Sequence, residues 1–172
     1  MYTSISRRMD ASPEVVFALA RNIERWPELL PHYLRVTVRA RAGDRALAQM
    51  VAVRRIGPVP VPVTWRAVFW ADGSDPADLR LRFRHVRGAT RGMNVTWHIR
   101  PVPGDLGRSD VTIEHDFSRP VPLLSALPVL GAALGPDLLP GLVDRVFTRP
   151  IAGRTLGAFK RHVARANPRE SI

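Results

Sequence analysis

Hydrophobic and polar positions follow two different periods along this chain. Residues 2–9 alternate and predict a first strand. Ser12 and Pro13 then predict a helix start, because a hydroxyl side chain can cap the first turn and proline fits the first helical position. Apolar residues recur at helical spacing up to Trp26 and Pro27, where the residue before the proline should leave the helical conformation.

The segment that follows this helix carries more apolar and aromatic surface than a solvated loop needs. It contains Pro27 and Pro31 and ends in His32 and Tyr33. Exposed apolar clusters of this kind normally face a partner or a ligand. We therefore expect the segment to cover either the end of a core or the mouth of a cavity, with His32 turned toward solvent.

From Leu34 onward the period changes from 3.6 to two. Each alternating segment has one apolar and one polar face, which is typical of an antiparallel sheet that is covered on one side. The predicted strands span residues 36–41, 46–55, 63–71, 79–84, 95–100 and 111–118. Pro58, Pro60 and Pro62 predict an extended connector that cannot lie in the middle of a sheet, since proline has no backbone N–H to donate.

Two apolar segments complete the chain. Residues 120–136 contain no charged side chain, but they are too short and too rich in proline to cross a bilayer. They fit a lid, a membrane-touching surface or a dimer contact, and we favour a lid because the segment joins the last strand to the C-terminal helix. Residues 137–167 predict that helix, which Pro150 should kink or divide.

This order of elements predicts an α+β fold. Consecutive strands pair through hairpins, so we expect a curved antiparallel sheet of six to seven strands wrapped around a long C-terminal helix, with two short helices after the first strand. A length of 172 residues without an obvious linker suits one domain over residues 1–172. The space between sheet and helix is where a small-molecule pocket would form.

Two short motifs carry a resemblance to a known family. Residues 22–30, NIERWPELL, and residues 93–97, MNVTW, resemble the START-like, helix-grip (SRPBCC) superfamily, and most of all its bacterial polyketide aromatase/cyclases. The resemblance implies a deep cavity in which a poly-β-ketone undergoes aldol cyclisation and dehydration. It also implies a set of substrate-binding residues: Trp26, Tyr33, Trp65, Ala67, Phe69 and Trp97.

One position departs from the family pattern. Two residues beyond Ala67, cyclases of this type carry an arginine that anchors or polarises a substrate carbonyl, and this chain has Phe69. Alternation independently puts Trp65, Ala67 and Phe69 on one strand face. The aromatic set fits a ligand cavity, but it also fits a plain hydrophobic core.

Three residues are candidates for proton transfer. His85 and His115 fall on apolar strand faces, where a histidine is most often a hydrogen-bonded core residue. An aldol step, however, must remove an α-proton and protonate an oxygen. With arginine replaced by Phe69, a buried histidine or Tyr33 is the best remaining acid or base.

The net charge of +11 predicts acidic partners without naming one. Because aromatics do not alternate with the arginines of the polar sheet face, we expect no nucleic-acid binding. An acidic acyl carrier protein is a better match, and contact with an anionic membrane surface is a further option. Glu114 and Asp116 share the polar face and predict salt bridges rather than a paired-carboxylate site. The arginines of that face are Arg39, Arg41, Arg80, Arg82, Arg84 and Arg100.

Several classes of function are excluded or disfavoured. The chain has no cysteine, so disulfides and thiolate chemistry are excluded, and the default location is cytoplasmic. Neither metal-ligand spacing nor a phosphate-binding loop is present, so we expect no metal and no cofactor. Two functions stay open: a polyketide cyclase, or a non-catalytic carrier or chaperone of a hydrophobic small molecule such as a quinone or lipid.

Overall fold

The computed structural model describes residues 2–56, 59–88, 90–117 and 149–166. Its elements, in chain order, are β1 (Tyr2–Met9), α1 (Pro13–Arg21), a 3-10 turn (Ile23–Arg25), α2 (Trp26–Leu29), β2 (Tyr33–Ala42), β3 (Arg45–Ile56), β4 (Val59–Asp72), β5 (Leu79–Gly88), β6 (Met93–Val102), β7 (Asp105–Phe117) and α3 (Arg149–Ala166). The seven strands form one antiparallel sheet in the order β1-β7-β6-β5-β4-β3-β2. The predicted α+β helix-grip fold is confirmed.

The sheet curves around α3, and the core lies between them. Every second residue of the central strands is buried, as the alternation predicted. The helix contributes the fully buried side chains of Leu156, Phe159 and Val163. We call the sheet face toward α3 the inner face and the opposite face the outer face.

The entry segment differs from the prediction in two respects. Helix α1 begins after Ser12 with Pro13 as predicted, but it ends at Arg21 instead of continuing until just before Trp26. The expectation that Trp26 leaves the helical conformation is wrong, because Trp26 has a φ of −57° and a ψ of −35° and opens the separate helix α2, with Pro27 in its first turn. Proline is tolerated there because a first-turn N–H has no intrahelical partner to lose.

The prediction of a connector at the prolines is wrong from Val59 onward. Pro60 and Pro62 belong to β4, where they lie opposite Arg55 and Val53 of β3. In the described part of the chain, β5 reaches β4 only from Trp65 onward. This end of β4 is therefore a local sheet edge, and proline's missing N–H is tolerated at an edge.

Ion pairs on the outer face match the predicted solvated arginine face. Asp78 accepts from Arg80 and Arg100 and also contacts His98. Burial raises the pKa of Asp78, but the hydrogen bonds from Arg100, His98 and Arg80 outweigh it, so this pKa lies below its ordinary value. Glu114 lies beside this network, with its Oε2 3.4 Å from His98 Nε2.

Two predicted features fall partly or wholly outside the described residues. The lid at residues 120–136 lies outside them, as do residues 137–148 of the predicted C-terminal helix. Helix α3 confirms the remainder up to Ala166. No helix in the described ranges is long and apolar enough to cross a membrane.

Candidate functional site

Trp26 is the centre of an aromatic cluster at one end of the interior. Its indole Nε1 donates to the carbonyl of Ala20 at 3.0 Å, which ties α2 back to α1. Four rings surround it, with centroid distances of 5.2 Å to Tyr33, 5.4 Å to Trp97, 5.5 Å to Phe83 and 6.4 Å to Phe159. This part of the interior is filled by aromatic packing, and only 2% of Trp26 is exposed.

A row of three rings leads away from this cluster along the inner face. Tyr33 meets Trp65 edge to face with centroids 6.0 Å apart, and Trp65 stacks on His85 with centroids 5.7 Å apart and planes 17° apart. All three side chains are buried. The structure therefore brings two of the predicted proton-transfer candidates, Tyr33 and His85, onto one tryptophan.

Gly88 allows this row to form. It lies opposite Trp65 and has a φ of +94°, which glycine adopts without strain. A Cβ at this position would lie 2.3 Å from the Thr64 carbonyl oxygen and 2.7 Å from the Trp65 Cα. Only glycine lets β5 approach β4 so closely, and a register shift between Arg66 and Ala67 then puts His85 opposite Ala67.

Thr90 holds the imidazole of His85. The Thr90 hydroxyl and His85 Nδ1 form a hydrogen bond across the β5–β6 turn. Nε2 is the ring nitrogen that this bond does not use. The sequence analysis missed Thr90, although its place in a short hairpin turn, five residues after a buried histidine, was a readable signal.

His115 lies apart from this row. It is buried on the inner face of β7 opposite Val95 of β6, and Val95 in turn lies opposite Phe83 of β5. Two strand spacings, roughly 10 Å, therefore separate the strands of His115 and His85. Its neighbour on β1 is Thr3, whose buried Oγ1 has no hydrogen-bond partner among the described residues.

Phe69 lies in apolar surroundings. Its ring is 4.9 Å from that of Phe83, and only 7% of the residue is exposed. Ala67, on the same face, is fully buried opposite Ala48. The alternation that placed Trp65, Ala67 and Phe69 together is confirmed.

The expectation that His32 faces solvent is wrong. His32 is half-buried, its Nε2 lies 2.9 Å from Thr155 Oγ1 of α3, and its ring centroid is 5.0 Å from that of Tyr33. Thr155, itself 2% exposed, was also missed. A single sequence could not pair them, because the two residues are 123 positions apart.

Titratable side chains are sparse inside the described part of the molecule. Its buried polar and charged residues are Thr3, Asp78, His85, Ser109, His115 and Thr155. Within the described ranges, no cluster of three or more histidine, aspartate or glutamate side chains could hold a metal ion. The interior therefore offers proton-transfer groups on an apolar background.

Comparison with known proteins settles the family. Residues 9–136 match the model of a family described as polyketide cyclase / dehydrase and lipid transport, and that match spans well over half of the chain. The chain belongs to the polyketide cyclase/dehydrase and lipid transport family. No curated protein sequence matches this family member.

Solved structures of other proteins share this fold. A protein from Thermus thermophilus superposes with a TM-score of 0.73 at 23% identity, over 97% of this chain and 99% of its own. The Zhui aromatase/cyclase from a Streptomyces species gives 0.72 at 14% identity, over 100% and 99%. A START superfamily protein from Mycobacterium smegmatis gives 0.55 at 14% identity, over 84% and 96%. At these identities the likeness shows the fold.

Proposed function

We propose that this protein binds a hydrophobic poly-β-ketone between the sheet and α3 and promotes its aldol cyclisation and dehydration. One observation carries the proposal: Tyr33 and His85 both contact the ring of Trp65, so two proton-transfer groups share one buried aromatic surface. Membership of the polyketide cyclase/dehydrase and lipid transport family supports it.

The chemistry assigns one role to each group. His85 removes an α-proton, and the resulting enolate carbon forms a bond to a second carbonyl carbon. Tyr33 gives its phenolic proton to the oxygen of that carbonyl, which becomes a hydroxyl. The Tyr33 phenolate then removes a further α-proton while protonated His85 gives its proton to the hydroxyl, which leaves as water, and both side chains are back in their starting states.

The surrounding side chains orient the chain of carbonyls. The Trp65 ring offers a flat surface between the two proton-transfer groups, and Trp26 and Trp97 limit the apolar space at the α2 end. Ala67 lies opposite His85 and has the smallest side chain of the predicted substrate-binding set. Thr90 is a positioning residue, because its bond to Nδ1 sets the orientation of the imidazole.

The test is a reconstitution with a minimal polyketide synthase, with products resolved by liquid chromatography and mass spectrometry. The native protein should shift products toward the cyclised, dehydrated aromatic form. His85→Gln and Tyr33→Phe should each lower that shift by about 100-fold, which is the lower range for loss of a general acid or base. His115→Gln, two strands away, should have the smaller effect.

A matched control is available on the outer face. His98→Gln makes the same chemical change as His85→Gln, but at a side chain bound to Asp78 rather than to Trp65. It should leave the product profile unchanged. A native protein that does not alter the products of the synthase would overturn the proposal.

A second candidate function is carriage of an apolar molecule such as a quinone or lipid. The contact between Phe69 and Phe83 favours it, because the position where related cyclases carry arginine here has no polar group. Native mass spectrometry of freshly purified protein tests this function. A co-purified quinone or lipid, together with unchanged polyketide products, would favour carriage over catalysis.

The setting follows from the same proposal. The protein acts in the cytoplasm as one domain over residues 1–172, and an acidic acyl carrier protein delivers the poly-β-ketone to its basic surface. The net charge of +11 supports this partner, since electrostatic attraction raises the rate of encounter with an acidic protein. Measuring the encounter rate at increasing salt would test it, because screening should slow it steeply.

A further inference from the structure

A basic cleft lies beside the half-buried His32, where β1, the turn after α2 and α3 meet. Its volume is about 750 Å³. The lining residues that matter here are Arg7, His32, Gly153, Arg154, Gly157 and Arg161. We call it the arginine cleft.

Basic residues next to the arginine cleft pair with carboxylates, whereas the arginines of the cleft do not within the described ranges. Arg8 binds Asp110 at 2.9 Å, and Lys160 lies 3.6 Å from Asp10. Across the ranges that the structure describes, no carboxylate lies within salt-bridge distance of Arg7, Arg154 or Arg161. Three like charges around one space form an arrangement that an anion stabilises.

Gly157 opens the space between two of these guanidinium groups. A Cβ on Gly157 would lie 3.6 Å from Arg161 Nη1 and 3.8 Å from Arg7 Nη1. Gly153, one helical turn earlier, has no atom within 4 Å of its Cβ direction. Helix α3 therefore presents two glycines to the cleft, and the guanidinium groups of Arg161 and Arg7 come together at Gly157.

The arginine cleft also adjoins the aromatic interior through His32. His32 lines the cleft, binds Thr155 and packs on Tyr33, which contacts both Trp26 and Trp65. An amphiphilic molecule could therefore hold an anionic end among the arginines while its apolar end follows Tyr33 inward.

We propose that the arginine cleft binds the phosphate ester of an amphiphilic ligand. Guanidinium groups suit this chemistry, because each offers a planar pair of N–H donors that matches two phosphate oxygens. This inference deepens the proposed function: the route of the ligand's apolar end into the interior rests on that function. Binding of the phosphate end itself requires no cyclisation.

Isothermal titration calorimetry with three probes tests the proposal: pyrophosphate, coenzyme A and a short-chain phosphatidylglycerol below its micelle concentration. Arg7→Ala and Arg154→Ala should each weaken binding of the recognised probe by about tenfold, as expected for loss of a charge-assisted hydrogen bond. Tighter binding of coenzyme A would assign a soluble thioester as the source of the phosphate. Tighter binding of phosphatidylglycerol would assign a lipid.

Two further variants separate a built site from diffuse attraction. Arg84→Ala removes the same charge from an exposed outer-face position and should change affinity by less than about twofold. Gly157→Ala keeps every charge and suits a helix, yet its methyl group enters the space between Arg7 and Arg161, so affinity should fall.

Equal losses of affinity for Arg84→Ala and Arg7→Ala, or no binding of any probe, would overturn the proposal that the arginine cleft binds a phosphate ester. If the protein binds coenzyme A through Arg7 but leaves polyketide products unchanged, the phosphate site in the cleft stands and only the proposed cyclisation is overturned. Thermal unfolding followed by circular dichroism confirms that each variant is folded.

Discussion

Trp26 and Trp97 stack with their ring centroids 5.4 Å apart and their planes 29° apart. Because Trp26 opens α2 and Trp97 lies in mid-β6, this contact fastens the segment after α1 to the centre of the sheet. Phe159 of α3 completes the packing, 5.4 Å from Trp97. The entry segment is therefore part of the core as well as a boundary of the candidate site.

Replacing Trp26 should be costly. Trp26→Ala removes a side chain that contacts four rings and should lower the free energy of unfolding by about 3–5 kcal/mol. Trp70→Ala is the control, since Trp70 is half-buried and lies under Arg45 at 5.0 Å in a cation–π contact, so its loss should cost about 1 kcal/mol. Urea unfolding followed by circular dichroism measures both. Similar losses would show that Trp26 is not the centre of the core.

Gly88 should tolerate no side chain. Gly88→Ala combines a positive φ with a Cβ that would lie 2.3 Å from the Thr64 carbonyl oxygen, and it should lower the free energy of unfolding by about 2–4 kcal/mol. Gly104→Ala measures the cost of the positive φ alone, because Gly104 has a φ of +77° and no atom within 4 Å of its Cβ direction. That control should cost about 1 kcal/mol. Equal costs would mean that the close approach of β5 to β4 is not needed.

Asp78 should make stability depend on acid pH. Its pKa is lower in the folded protein than in the unfolded chain, so its contribution is complete above the unfolded pKa of about 4 and is lost as the pH falls through the folded pKa. Asp78→Asn should cost about 1–3 kcal/mol at pH 7 and progressively less below about pH 4. Urea unfolding from pH 2 to 7 measures this difference.

A variant with the same change of charge controls the Asp78 experiment. Asp44→Asn lies in the exposed β2–β3 turn and has no ion pair within the described ranges. If it reproduced the pH dependence of Asp78→Asn, general charge would explain the effect rather than the hydrogen bonds at Asp78.

Sequence periodicity predicted which residues share a strand face, and it missed contacts that depend on how turns and helices are placed in the fold. Alternation correctly put Trp65, Ala67 and Phe69 on one face, because side-chain direction in a strand depends only on position parity. The bonds of His85 to Thr90 and His32 to Thr155 depend on a turn and on helix placement, which periodicity does not specify. The prolines of β4 led to a wrong prediction for a similar reason. A strand tolerates proline where the neighbouring strand does not reach, and only the strand register shows that β5 does not reach this end of β4.

Phe69 separates the two candidate functions most directly. Its ring packs 4.9 Å from Phe83 with little exposure, so Phe69→Arg would bury a charge without a designed partner. We expect it to lower the free energy of unfolding by about 3–5 kcal/mol. Phe69→Leu, which stays apolar, should cost about 1–2 kcal/mol and keep the product profile.

The contrary result would be equally informative about Phe69. If Phe69→Arg cost less than about 1 kcal/mol, water would have to reach this position, because an unpaired guanidinium is tolerated only where it stays solvated. A tolerated arginine that also altered the cyclised products would place substrate carbonyls beside Phe69. A strongly destabilised variant would instead show that position 69 belongs to the packed core, and the products obtained with the Tyr33 and His85 variants would then decide between cyclisation and carriage.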